Sequence, residues 1–386
     1  MFDLTPDEVV TRGEGLARDF ATRAAEIDRT GAFPFANFEA LHEAGLLNLT
    51  VSKRHGGQGT GLSTICRLIQ SIAVGEPSTA LVLAMHYIYH AYPALSGRWK
   101  GPVHDAMCEA SLKGIALVNV MRVEPELGTP TRGGMPATTA KRTPNGFAIS
   151  GHKLYATGSP LLEHFVTWGR TDDADPLVGW FMVPRGAAGL RIEETWDHLG
   201  MRGTGSHDLV LDNVAIPAGN ALDIRPPNGW LTPDPENGAW NNLVLSALYL
   251  GVARSAQTWL TGYLHERKPS NLGAALATLP RFQAAAGEME TLLWTAERLV
   301  GTLAAEADAN GYSARHTYET ALAKSVATTN AIRAVDIGLA LIGNPALMRA
   351  HPLERHHRDV LCSRIHMPQD DMVALMAGRA ALGPGA

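Results

Sequence analysis

Apolar residues return every three to four positions along the first 117 residues, the spacing of helices that bury one face. Within Asn37–Gly45, Phe38, Leu41 and Ala44 share such a face, and Gly45 is placed to cap the helix. A loop is predicted over Gly56-Gly57-Gln58-Gly59-Thr60-Gly61. A second helix follows over Leu62–Val74, stopped at Gly75-Glu76-Pro77, and a third starts with Ser78 as its N-cap. From about Ile115 to Pro217 the texture changes to short runs: Ile115–Val120, Gly146–Ser150, Phe165–Trp168, Gly179–Val183 and His207–Leu211. Turn clusters at Thr143–Gly146 and Asp172–Pro176 punctuate them, which predicts an all-β unit. The proline-bearing stretch Asp223–Gly238 reads as a linker or long loop. Long helical patterns then cover Trp240–Arg267, Leu279–Glu306, Ala314–Ile342 and Asp370–Leu382, the third stopped by Gly343-Asn344-Pro345. The predicted fold is α+β in three parts: a helical domain over 1–116, a β-domain over 117–225 and a helical bundle over 226–386.

Composition narrows the class. Of 386 residues, 45% are hydrophobic and 18% charged, enough apolar material for large cores. The net charge of −5 comes with no Lys/Arg block, which argues against nucleic-acid binding. Long apolar runs such as Leu243–Val252 are interrupted, here by Arg254, before membrane-spanning length. The start, Met1 to Glu8, is acidic and lacks the basic and apolar regions of a signal peptide. Cys66, Cys108 and Cys362, odd in number and widely spaced, make neither a disulfide framework nor a zinc knuckle. The expectation is a soluble cytoplasmic protein without nucleic-acid or membrane partners.

Two candidate motifs read better as ordinary structure. Gly57, Gly59 and Gly61 do not follow a strand that opens a βαβ unit, so a turn is preferred to a dinucleotide fingerprint. His351, His356 and His357, with Glu354, Asp359 and Cys362 nearby, fit no standard zinc spacing and read as surface histidines near a helix end. A Gly-x-Ser-x-Gly element is absent from the sequence, which argues against the common hydrolase arrangement.

More specific is the block Gly200-Met201-Arg202-Gly203-Thr204-Gly205-Ser206-His207, running into a strand that ends at Pro217. It is accompanied by Glu124-Pro125-Glu126-Leu127-Gly128-Thr129, by Gly151-His152-Lys153-Leu154-Tyr155-Ala156-Thr157-Gly158 and by Glu266-Arg267-Lys268. Together these resemble the acyl-CoA dehydrogenase superfamily over nearly the whole chain. The resemblance implies that family's three-part fold, FAD (or FMN) as cofactor, and a homodimer or homotetramer with a flavin site shared between subunits. Cofactor-binding residues implied by it are Val123, Gly128 and Thr129, with Tyr155 and Thr157 along the flavin ring. It also implies Arg267 at the pyrophosphate of a neighbouring subunit and Gly343 and Asn344 near the adenine side. An aromatic ring at Tyr155 suits a flavin face, where the family usually has Trp, and the guanidinium of Arg267 suits a phosphate.

The resemblance breaks at the catalytic base. Dehydrogenases of the family carry a Glu shortly after an Arg-Asp pair; counting on from Arg358-Asp359 reaches Met367. In a smaller set the base opens the first bundle helix, and that position is Asn241. Asn242 stands where many dehydrogenases carry Arg, Asp370 and Asp371 read as helix-start residues, and Glu124 reads as structural. His366, followed by Met367-Pro368, resembles the flavin monooxygenase branch that includes dibenzothiophene monooxygenase, as do Tyr155-Ala156-Thr157-Gly158 and His86. That branch uses reduced flavin from a separate reductase, and O₂. His366 and His86 are therefore the catalytic candidates, with the plain alternative that both are helix residues satisfied by carbonyls. The leading expectation is a monooxygenase acting on a small organic or acyl substrate. The alternatives are an acyl-thioester dehydrogenase with a relocated base and a non-catalytic flavoprotein subunit. Trp99, Trp240 and Tyr249, at helical spacing, are assigned to core packing.

Overall fold

The computed structural model describes residues 3–126, 134–231 and 234–383. Five helices precede the first strand: α1 (Pro6–Thr30), α2 (Phe35–Glu43), α3 (Leu62–Gly75), α4 (Pro77–Ser96) and α5 (Pro102–Lys113). A capping box opens α1, where Thr5 accepts the Glu8 N–H and the Glu8 carboxylate accepts the Thr5 N–H. The helix over Phe35–Glu43 ends at Ala44, with Gly45 next in the left-handed region as the predicted stop. Ser78 is not the cap of α4. Pro77 takes the first helical position, so Glu76 becomes the N-cap and its carboxylate accepts the Ser78 and Thr79 N–H groups at 3.0 and 2.6 Å. The glycine loop before α3 is a turn, as expected. Asp308 from the bundle accepts the Leu62 and Ser63 N–H groups at 2.8 Å each, packed so close to Gly61 that a side chain there would meet the carboxylate.

Eight strands are seen among the described residues: β1 (Leu117–Met121), β2 (Thr139–Thr143), β3 (Gly146–Ala156), β4 (Leu162–Thr171), β5 (Val178–Pro184), β6 (Leu190–Glu193), β7 (His207–Pro217) and β8 (Ala221–Arg225). They lie in the order β6-β7-β3-β2-β4-β5-β8, with β1 parallel to β4. The strand Ala221–Arg225 takes the front of the stretch expected to be linker, pairing with β5. β3 and β7 run well past the apolar runs that predicted them, because polar residues continue the ladder: His152 pairs Val210 and Lys153 pairs Leu209. Lys153 is fully buried, and its Nζ donates to Glu124 Oε1 at 2.5 Å. Glu124 also accepts the Ala137 and Thr138 N–H groups and the Thr138 hydroxyl, which ties the end of β1 to β2 and bears out its structural reading. Burial lowers the Lys153 pKa to about 8, against the pull of Glu124.

The bundle comprises α6 (Pro235–Glu266), α7 (Pro280–Asn310), α8 (Ala314–Ile342), α9 (Pro352–Leu361) and α10 (Asp370–Leu382). α8 is long and apolar enough to cross a membrane by length and composition. In this fold it packs against α6, α7 and α9 and carries Lys324, Asn330, Arg333 and Asp336. The ten-residue α9 has no counterpart in the predicted elements. His356 on it is buried, with Nε2 3.3 Å from Ser255 Oγ, so only part of the surface-histidine reading holds. α3 and α6 cross at Gly251, where an added Cβ would collide with the Gln70 carbonyl.

The three domains meet on one segment, Gly200–Ser206. Met201 N–H donates to Asp359 Oδ1 of α9 at 2.7 Å, Arg202 Nε to the Asp28 carbonyl at the end of α1 at 2.7 Å, and Gly203 N–H to Ser78 Oγ of α4 at 3.2 Å. Arg358 locks the same corner with two bonds to the Asp28 carboxylate and one to the Leu199 carbonyl. Burial raises the Asp359 pKa to about 7, opposed mainly by the Met201 N–H.

Two stability predictions follow from these buried charges. Lys153→Met alone strands Glu124 and is expected to lower unfolding free energy by about 3–5 kcal/mol; adding Glu124→Gln recovers most of that loss in urea denaturation. Asp359 binds its proton more tightly folded than unfolded, so stability is lost as pH rises from about 4 to 7. Asp359→Asn keeps an acceptor for Met201 and abolishes that loss, so its thermal midpoint relative to the parent rises across this window.

Candidate functional site

Two clusters flank the Gly200–Ser206 junction. The first lies at the end of β3. A bulge between Lys153 and Ala156 puts Tyr155 at φ 59, the left-handed region that L-residues rarely adopt. The twist takes its ring out of the strand's alternation and leaves it half-exposed, edge-on to Trp196 at 6.3 Å and to His198 at 5.8 Å. Trp196 and His198 stack on each other at 3.7 Å, and Trp196 Nε1 donates to the Met201 carbonyl at 3.1 Å. Beside this aromatic surface Thr157 Oγ1 is 2.9 Å from Ser206 Oγ, which is 2.7 Å from Thr204 Oγ1. Asn119 Nδ2 holds the Thr157 carbonyl at 2.9 Å, and the Val123 carbonyl accepts the Leu154 N–H at 3.0 Å. An open aromatic face edged by hydroxyls is the donor set a planar heteroaromatic cofactor requires. Gly128 and Thr129 lie outside the described residues.

The second cluster is in the bundle. Asn241 and Met367, the two positions where a carboxylate base would stand, touch: Asn241 Nδ2 donates to the Met367 carbonyl at 2.8 Å. The neighbouring His366 is half-buried, with Nε2 2.7 Å from the hydroxyl of Tyr249 on α6. Lys324, buried on α8, donates to the His366 and Pro368 carbonyls at 3.0 Å each and thereby fixes the loop that presents the imidazole. Burial and the Lys324 cation lower the His366 pKa to about 4, so the ring is neutral near pH 7. Asp359 and Cys362 act electrostatically on Tyr249, whose phenol is held well above its ordinary range by burial. Hydrogen bonds therefore link Thr157 and Ser206 through Thr204 and Met201 to Asp359, and separately Tyr249 to His366.

His86 sits elsewhere in this network. It is buried on α4, its Nδ1 accepts the Val118 N–H at 3.2 Å, and its Nε2 is 3.2 Å from Asn48 Oδ1. Both ring nitrogens are thus occupied, and burial lowers the pKa to about 3. Arg267, Gly343 and Asn344 are exposed at the ends of α6 and α8. At 1.5 Å per residue, Arg267 lies about 39 Å along the helix from Asn241. Asp370 and Asp371 open α10, as expected.

Tyr249, Lys324, Ser206, Trp196, His198 and Asn119 were missed as site residues. Tyr249 is indeed buried, like Trp99 and Trp240, but its hydroxyl points at the one half-buried imidazole of the loop. Lys324 left a usable signal: a lone lysine on the buried stripe of a helix has to find acceptors.

Comparison with known proteins agrees with this architecture. The family models for acyl-CoA dehydrogenase match domain by domain: N-terminal over residues 14–96, middle over 121–214 and C-terminal over 243–370. The "Putative acyl-CoA dehydrogenase YdbM" of Bacillus subtilis (strain 168) is 32% identical over 364 residues, covering 93% of this chain and 92% of that protein. L-evernosamine nitrososynthase of a Micromonospora species is 26% identical, covering 95% and 88%. The solved structure of KijD3 in complex with FMN and a dTDP-linked amino keto sugar superposes with a TM-score of 0.85 at 25% identity, covering 99% and 94%. Three matched domains in the order helical, β and helical, with a relative at 32% identity along almost the full length, place the chain in the acyl-CoA dehydrogenase family.

Proposed function

We propose that this protein is a flavin-dependent oxidoreductase working in the monooxygenase mode of its family, with reduced flavin and O₂, on a small organic substrate. The contact between Asn241 and Met367 carries the reading: the two usual base positions converge in space, and neither side chain can take a proton from an acyl thioester. The Micromonospora relative, by its name, makes a nitroso group, and the KijD3 structure holds FMN and an amino sugar. These support N- or C-oxygenation chemistry on the same scaffold.

FAD or FMN fits the first cluster. Tyr155, backed by Trp196 and His198, would cover a ring face, and Thr157 would hydrogen-bond its polar edge. Reduced flavin, when bound, supplies the two electrons that O₂ activation needs, and a separate reductase is the proposed source. The chain's own part is positioning and proton handling. His366 is neutral in the working range and can accept or pass a proton, with Tyr249 fixing the orientation of its Nε2. His86, with both nitrogens engaged, orders the start of β1 instead. Arg267 is too far along α6 to meet the phosphates of a cofactor whose ring lies near its own Asn241. Its role is therefore proposed for a neighbouring subunit of a dimer or tetramer.

A second reading is favoured by the Bacillus subtilis relative, whose name gives an acyl-CoA dehydrogenase activity. In it Asp370, close enough to Lys324 to influence it, would serve as the relocated base.

Anaerobic titration of the flavin-loaded protein with a panel of acyl-CoA thioesters is expected to leave the oxidised flavin spectrum unchanged. With reduced flavin and ¹⁸O₂, amines and aromatic heterocycles are expected to gain label. Bleaching by a thioester, lost in Asp370→Asn, would overturn the monooxygenase reading. His366→Ala is expected to lower oxygenated product by about 10²- to 10⁴-fold while leaving flavin affinity in place. Removing the nearby cation with Lys324→Met lets His366 protonate more readily, so the acid limb of the rate profile moves to higher pH; an unmoved limb would separate Lys324 from His366.

A further inference from the structure

We propose that His55, His104 and Cys108 form a divalent-metal site, zinc by its donor set and with water in the fourth position, that staples the turn before α3 to α5. His104 and Cys108 are four residues apart on α5 and share one face of the helix, both 2% exposed. His55 reaches them from the short helical turn Lys53–His55, its side chain 9% exposed. One donor atom from each of the three lies within 4.8 Å of the others, and among the described residues this is the one place where such side chains meet.

The geometry is that of a coordination sphere slightly open. Cys108 Sγ and His104 Nε2 are 3.6 Å apart, the edge of a tetrahedron with Zn–S of about 2.3 Å and Zn–N of about 2.0–2.1 Å. His55 is oriented as a ligand is usually oriented. Its Nδ1 is 2.9 Å from Ser52 Oγ, which turns Nε2 toward the cluster. Asp105 Oδ1 is 2.7 Å from that Nε2, a hydrogen bond that the metal would displace, and this half-exposed carboxylate marks the entry path. Arg54 donates to the same Oδ1 at 2.9 Å and holds the carboxylate on the solvent side.

His104 Nδ1 is buried and has no hydrogen-bond partner, so the ring's polar contacts are made through Nε2 alone, to a weakly bonding sulfur. With the proton on Nδ1, the Nε2 lone pair faces the thiol and is open to a metal. On binding, the Cys108 S–H gives its proton to solvent as the sulfur–metal bond forms. The thiolate offsets one charge of the dication, and the Asp105 carboxylate beside His55 lies close enough to offset the other. The cluster makes no contact with Tyr155, Thr157, Tyr249 or His366; its link toward the core is His90, whose Nδ1 is 4.0 Å from Cys108 Sγ. The role is to hold the N-terminal domain together.

The full-length protein, stripped with EDTA and dialysed against Zn²⁺ or Co²⁺, tests the site. Elemental analysis is expected to give one equivalent of zinc. Co²⁺ is expected to show tetrahedral ligand-field bands with a thiolate-to-metal charge-transfer band, and Zn²⁺ to raise the thermal midpoint. Cys108→Ser is expected to lose the charge-transfer band and to weaken Co²⁺ binding on the order of a hundredfold. His265→Gln, exposed on α6, is expected to change nothing. If Cys108→Ser fails to fold by circular dichroism, His55→Gln in the surface turn replaces it. Well under one equivalent of zinc, Co²⁺ without the thiolate band, or the same affinity in the ligand variants would overturn the site.

Discussion

The grip of three domains on Gly200–Ser206 is the constraint on which the rest of the site depends. The segment contains two left-handed residues, Met201 and Gly205, each at φ 53, and Met201 is almost wholly buried. A bulky residue holds that conformation only when its surroundings over-determine it. Here the surroundings are Asp359, Asp28 and Ser78, one from each of three helices. Because Ser206 sets the Thr157 hydroxyl and the Met201 carbonyl anchors Trp196, the aromatic face and the hydroxyl edge inherit their positions from this corner.

The same corner explains why a carboxylate is tolerated where water is excluded. Asp359 would be costly as an anion in isolation. The neighbouring Arg358 is already committed to Asp28 and Glu354, so it does little to keep Asp359 charged, and burial dominates. In the bundle Lys324 has the opposite arrangement. It is a buried cation whose nearest partners are two carbonyl dipoles rather than a carboxylate, and the site gains a rigid loop together with a positive field beside His366.

Much of this fold was readable in the pattern of residues. Helices with a strong apolar stripe, such as Ala314–Ile342, were bounded correctly because periodicity and stop signals agree there. The strand Ala221–Arg225 and the helix Pro352–Leu361 escaped because their hydrophobic content is small and their placement comes from partners, β5 in one case and α6 and α8 in the other. At the candidate site, the residues Tyr155, Thr157 and His366 were singled out through family resemblance. The pairings were not: nothing local says that Tyr249 meets His366 across 117 positions, or that His86 has both nitrogens engaged. Long-range partners are decided by packing, which periodicity does not encode.

The anchors of Gly200–Ser206 also carry a consequence in time. Asp28 and Arg358, which close the corner, are separated by 330 positions, nearly the full length of the chain. Contacts of such separation form late, because the loop entropy they close must be met before they contribute. On a growing chain the helical and β domains can be complete while the corner is still open, since Arg358 and Asp359 follow both of them in the sequence. The aromatic face at Tyr155 is therefore among the last features of the molecule to take shape, and its completion reports that all three domains have docked.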